Sequence, residues 1–153
     1  MSNIENHTPL QLRIDDVAFK SMNAMKVVFG DGRDYLVDFR EAIGRNPILR
    51  PVLSRELFRQ AEIADLGRTL RWPGSEDLEV SSDQVRAWGV DQAGGFSHAR
   101  FIQWMWNHQL TLSSAAEALG LSRRMVAYYR DGSKEIPRTV ALACKGWEAL
   151  QAA

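Results

Sequence analysis

Thr111 to Gly132 reads TLSSAAEALGLSRRMVAYYRDG, and this stretch decides the fold of the C-terminal third of the chain. It predicts two short helices joined by a tight turn at Gly120. Ser113 is expected to cap the first helix, and Ala115, Ala116 and Leu119 then fall on one inward face. Two small alanines let a second helix approach closely. Gly120 accepts the left-handed conformation that stops a helix, because it has no Cβ to clash. Leu121 is expected to plug the corner, and Ser122 to cap a second helix from Arg123 to Arg130. Val126 and Tyr129, at i and i+3, turn to the core. That leaves Arg123, Arg124, Ala127 and Tyr128 outward. An ordinary helical hairpin accounts for the small residues and the glycine. It does not account for two arginines directly after the cap, which suit a polyanion and its base edges.

The stretch resembles the helix-turn-helix of the lambda repressor and Cro superfamily. That family's small residue, turn glycine and β-branched anchor correspond here to Ala116, Gly120 and Val126, at the family's spacing. A tyrosine and Asp131-Gly132 then close the second helix, and EIPRTVALACKGWEAL supplies more helix. The resemblance implies an all-α domain binding double-stranded DNA, with Arg123–Arg130 in the major groove. Arg123 and Arg124 are the candidates for guanine edges, and Ser122 and Tyr128 for bases or phosphates. Backbone amides near Ser113 and the side chains of Lys134 and Arg138 are the candidates for phosphate. One such helix reads only a few base pairs, so a homodimer is expected. Its interface is expected in the N-terminal domain or in the terminal helix, Pro137 to Leu150.

Charge is distributed to match. The 153 residues carry 19 basic and 19 acidic side chains. From Phe96 onward, seven basic residues stand against four acidic ones, net +3, so residues 1–95 are net −3. The acidic half is expected to stay off DNA. Five tryptophans and a 45% hydrophobic content support a real core. No apolar run approaches a membrane span, and MSNIENHTPL lacks the charged and apolar regions of a signal peptide. The single Cys144 excludes an internal disulfide, fits a reducing cytoplasm and lies in an apolar-periodic run, which marks a buried structural thiol.

The first half has strand periodicity. Met25, Val27 and Phe29 alternate, Asp31-Gly32 signals a two-residue hairpin, and Tyr35, Val37 and Phe39 alternate again. Leu10–Val17 predicts an earlier strand with Leu12 and Ile14 on one face. Residues 48–53, with Pro51, predict a short helix or turn. Phe58–Ile63 and Thr69–Trp72 predict short strands around Asp65-Leu66-Gly67. Trp72-Pro73-Gly74 reads as a turn, and Ser81 or Ser82 as the cap of a helix through Trp88. The fold class is α+β: a small, mainly antiparallel sheet domain over residues 1–91, then an all-α domain over 96–153, with Gln92 to Gly95 as linker. The FGDG hairpin and WPGSEDLEVSSDQV are similar to the domain-of-unknown-function 2442 family across much of residues 10–88. That likeness implies a bacterial regulator when a helix-turn-helix follows, and supplies no catalytic residues. Other members are encoded beside small toxin-like proteins. An antitoxin-like module whose N-terminal domain binds a small protein partner is therefore the alternative reading.

No enzyme, cofactor or metal is expected. Asp15-Asp16 and Glu76-Asp77 are adjacent pairs, and neighbours on a strand point to opposite faces. His98 and His108 flank Phe101–Trp106 with no ligand cluster around them, and His7 lies near the start. Gly30-Asp31-Gly32 lacks the third glycine of a dinucleotide fingerprint, and no phosphate-loop Lys-Ser/Thr occurs. Trp104 and Trp106, with Phe101 and Met105, are assigned to the core face of the first helix of the C-terminal domain, with one of the two tryptophans at a domain or subunit contact.

Overall fold

The computed structural model describes residues 8–44 and 46–153; His7 lies outside them. The chain divides into two units, one ending at Ala93 and the other beginning at Gly94. The architecture is α+β: antiparallel sheets come first and a set of helices follows.

The N-terminal unit holds two three-stranded antiparallel sheets. In the first, β1 (Ile14–Phe19) pairs with β2 (Ala24–Phe29), which pairs with β3 (Asp34–Asp38). β2 alternates as its sequence requires, with Met25, Val27 and Phe29 fully buried. The second sheet is β4 (Glu62–Ala64), β5 (Thr69–Arg71) and β6 (Glu79–Ser81). Helix α1 (Phe39–Ile43) follows β3, α2 (Arg55–Phe58) precedes β4, and α3 (Ser82–Gln92) follows β6. The core gathers on Phe39, whose ring meets Phe58, Trp72 and Trp88 edge-on at 5.4–6.1 Å. The Trp72 indole donates to the Phe58 carbonyl at 3.1 Å, so its one polar atom is satisfied in the interior.

Several elements differ from the sequence reading, each for a local reason. Leu10–Leu12 is a short 3-10 turn, not strand, although Leu12 and Ile14 are both buried as expected. The first hairpin closes through three residues, Gly30 to Gly32. Gly32 sits at φ +86° and donates to the Phe29 carbonyl, and Phe29 donates to the Arg33 carbonyl. Phe39 is buried but belongs to α1, because Asp38 Oδ1 accepts from the amides of Arg40 and Glu41 and ends the strand. Phe58 ends a helix capped by Ser54, so the strand predicted from Phe58 starts only at Glu62. β6 is too short to carry a periodic signal. Ser81 is the cap of α3, and that helix runs past Trp88 to Gln92. Gln92 then holds the end of β3 by two bonds, accepting from the Asp38 amide at 2.8 Å and donating to its carbonyl at 3.0 Å.

The hairpin loop is anchored from α3. The Arg86 guanidinium, 3% exposed, makes paired hydrogen bonds of 3.1–3.2 Å to both carboxylate oxygens of Asp31. It also lies 4.9 Å from the ring centres of Phe29 and Tyr35. Partial burial pushes the Asp31 carboxyl up. The Arg86 bonds, the Arg33 amide and both arginine charges outweigh burial and hold it below its ordinary value.

The C-terminal unit is all helix: α4 (His98–Asn107), α5 (Leu112–Leu119), α6 (Arg123–Asp131) and α7 (Arg138–Ala152). Its core is Phe101, Trp104 and Met105 from α4, Ala115 and Ala116 from α5, Val126 and Tyr129 from α6, and Val140 and Cys144 from α7. Burial raises the Cys144 thiol to about 12, with the Glu148 charge adding to the effect. Leu142 and Trp106 lie outward. Leu142 is 54% exposed and Trp106 is 78% exposed, so neither belongs to this core. His108 ties α4 to α7 through a 2.9 Å contact between Nε2 and Glu148. No helix among the described residues is long and apolar enough to cross a membrane.

Candidate nucleic-acid interface

The face of interest is built outward from the turn at Gly120. Thr111, not Ser113, caps α5. Its hydroxyl accepts from the Ser114 amide at 3.1 Å, and the Ser114 hydroxyl accepts from the Thr111 amide at 2.8 Å. This is a reciprocal capping box with serine in the usual Glu/Gln place. Ser113 is exposed in the first turn and does not serve as the cap. At the other end Gly120 adopts φ 69°, ψ 34°, and donates to the Glu117 carbonyl, while Leu121 donates to the Ala116 carbonyl at 2.9 Å. That pair of bonds closes the helix in the Schellman manner and throws Leu121 back onto the core.

Two residues later α6 begins. Ser122 Oγ accepts from the Met125 amide at 3.1 Å, as its position predicts. Val126 is fully buried and Tyr129 is 7% exposed, which sets the rotation of the helix. Arg123 and Arg124 are consequently exposed in its first turn. Tyr128 shares a face with Arg124 at i+4. The Lys134 ammonium lies 5.0 Å from the centre of the Tyr128 ring, so Arg124, Tyr128 and Lys134 form one line across the surface. Arg138, also exposed, stands on a separate element as the first residue of α7.

Arg130 was not among the assigned residues. It is exposed in the last turn of α6 and shares Arg123's face at i+7. That spacing was legible in the sequence. The result is a helix whose outward side carries arginines at both ends and an aromatic hydroxyl between. Such a face offers fork-shaped donors to base edges and cations to phosphates.

Among the described residues, no group of three or more His, Cys, Asp or Glu side chains is placed to hold a metal. Asp15, Asp16, Glu76 and Asp77 are exposed, with Asp15 paired to Arg13 at 2.9 Å.

Residues 14–82 match the model of a family described as "Protein of unknown function (DUF2442)". The crystal structure of "Putative DNA Binding Protein NE0471" from Nitrosomonas europaea ATCC 19718 is similar with a TM-score of 0.79, at 39% identity, over 91% of this chain and 88% of that one. The chain belongs to the same family as NE0471. Neither unit alone amounts to 91% of the chain, so the likeness to NE0471 extends over both. The DUF2442 match runs from β1 to the start of α3 and so concerns the N-terminal unit. No curated protein matches the chain.

Proposed function

We propose that this protein binds double-stranded DNA sequence-specifically, as a transcriptional regulator, by laying α6 in the major groove. The observation that carries the reading is the exposed Arg123-Arg124 pair, held in the first turn of α6 by the Ser122 cap and the left-handed turn at Gly120. In this reading α5, Gly120 and α6 are a helix-turn-helix of the lambda repressor type. Arg123 and Arg124 read base edges, Ser122 and Tyr128 contact bases or phosphates, and Lys134, Arg138 and the amides at the start of α5 hold phosphates. The name of NE0471, a relative at 39% identity, supports DNA as the ligand. The role is one of binding, without cofactor or metal, and the active species is a homodimer. The N-terminal unit folds on its own and does not touch DNA.

Selection of bound duplexes from a random pool tests the reading. Enrichment of one sequence is expected, with affinity falling steeply as salt rises. Each phosphate contact contributes about −0.9 to the slope of log K against log salt. A pool that stays random after repeated rounds would overturn it.

A further inference from the structure

The outer face of α7 is apolar and symmetric about its own middle. Leu142 and Leu150 are exposed, and Ala143, Gly146 and Ala149 are exposed beside them. Counted from Gly146, these residues stand at −4, −3, 0, +3 and +4. Such offsets lie on a single helix face, and no charged side chain falls within it.

Gly146 points to what covers that face. Its φ is not in the left-handed region, so no backbone strain demands glycine there. A Cβ at this position would meet nothing within 4 Å, so no neighbour in the chain demands it either. Glycine in a helix interior is unfavourable. Its use at the centre of an apolar face is to let a second backbone pass close by.

We infer that α7 is a self-interface in which two copies of this chain pair α7 against α7, antiparallel, with the two-fold axis at Gly146. The symmetry of the face selects a second copy over an unrelated protein. An antiparallel two-fold axis brings offset +n against −n, so Leu142 meets the partner subunit's Leu150 and Ala143 meets the partner subunit's Ala149. A surface complementary to itself in this way is what an isologous contact requires. Antiparallel packing also sets the positive end of each helix dipole beside the negative end of the other. Area sets the strength. The 15-residue helix is about 22 Å long and about 10 Å wide. One such face falls short of the roughly 800 Å² per partner of a stable complex. The pair is therefore weak in free solution and is completed on DNA. The inference rests on the DNA-binding reading for this purpose, since two α6 helices related by a two-fold axis match a palindromic site.

Cysteine cross-linking of the full chain tests the geometry. Gly146→Cys, at about 100 μM with oxidised glutathione, is expected to give a covalent dimer, because residue 146 meets its own copy and a disulfide needs Cα atoms within about 7 Å. Thr139→Cys is expected to give none, since its counterpart lies about 20 Å along the partner helix. Wild type controls for Cys144, which is 1% exposed. Leu142→Lys is expected to weaken self-association at least tenfold in sedimentation. Adding Leu150→Glu to the same chain is expected to restore it through two ion pairs across the axis. Absence of a Gly146→Cys dimer, or equal cross-linking of Thr139→Cys, overturns the inference. A double variant that stays monomeric overturns the antiparallel register. Duplex selection on the same chain keeps the two readings apart. A protein that cross-links but enriches no sequence refutes the regulator, and one that enriches a sequence but does not cross-link refutes the interface.

Discussion

Replacing Gly120 in turn with asparagine, alanine and valine isolates the cost of the turn that presents α6. At φ 69°, ψ 34°, a Cβ on residue 120 would meet no atom within 4 Å. For alanine, neighbour clashes therefore drop out, and the backbone conformation alone sets the cost. An L-residue in the left-handed region costs about 1–2 kcal/mol. Alanine regains about 0.5–1 kcal/mol of that by restricting the unfolded chain. The expected net loss is about 1 kcal/mol for Gly120→Ala, less for Gly120→Asn, which tolerates this region, and about 2 kcal/mol or more for Gly120→Val. Hydrogen exchange of the α5 and α6 amides in the full chain reads the opening of this unit alone. Protection should fall by about five-fold for alanine and about 30-fold for valine. Gly146→Ala, at a helical φ and with open space, should move protection the opposite way by about five-fold when measured at low protein concentration. If Gly120→Val exchanged like wild type, or Gly120→Ala proved stabilising, the left-handed turn would be refuted.

Arg123→Ala and Arg124→Ala are each expected to cost about 1–3 kcal/mol on the selected duplex and to relax preference at one base pair. Lys134→Ala should weaken all duplexes alike and lower the salt slope by about one unit, and equal losses on specific and random DNA for all three would refute the assignment. Thr111→Ala should cost about 1 kcal/mol in denaturant unfolding and Ser113→Ala less than about 0.5 kcal/mol, because only the former removes a cap. Asp31→Asn removes the carboxylate paired with the buried Arg86 and should cost about 1–3 kcal/mol, tempered by the 25% exposure of that carboxylate. The carboxyl is held below its ordinary value of 3.8, so its stabilisation is complete above about pH 4 and disappears as pH falls through the lower native value. The urea midpoints of wild type and Asp31→Asn should therefore converge in acid, and a constant gap from neutral pH downward would contradict the pairing. A fragment beginning at Phe96 should unfold cooperatively by circular dichroism; a fragment without helical signal would show that the two units share one core.

The C-terminal helices were readable because their signals are local. Ser122, Gly120, Val126 and Tyr129 act on backbone groups and on a helix period only a few residues away, so spacing alone located α6 and turned its arginines outward. The same holds for β2, where strict alternation buries Met25, Val27 and Phe29. Cap choice was less legible. Thr111, Ser113 and Ser114 all offer a hydroxyl, and only the chain's path into α5 selects Thr111. Two of the shortest elements escaped for a related reason: β6, at three residues, and α2, at four, barely exceed one period of their patterns, and contacts across the fold define them. Tertiary structure alone made three decisions. It brought Arg86 to Asp31 across 55 residues. It placed Lys134 over Tyr128. It left Leu142 outside the core, although its periodicity suited the inside as well as the outside. A helix period says which residues share a face. Which face turns inward depends on what packs against the helix, and that information lies elsewhere in the chain.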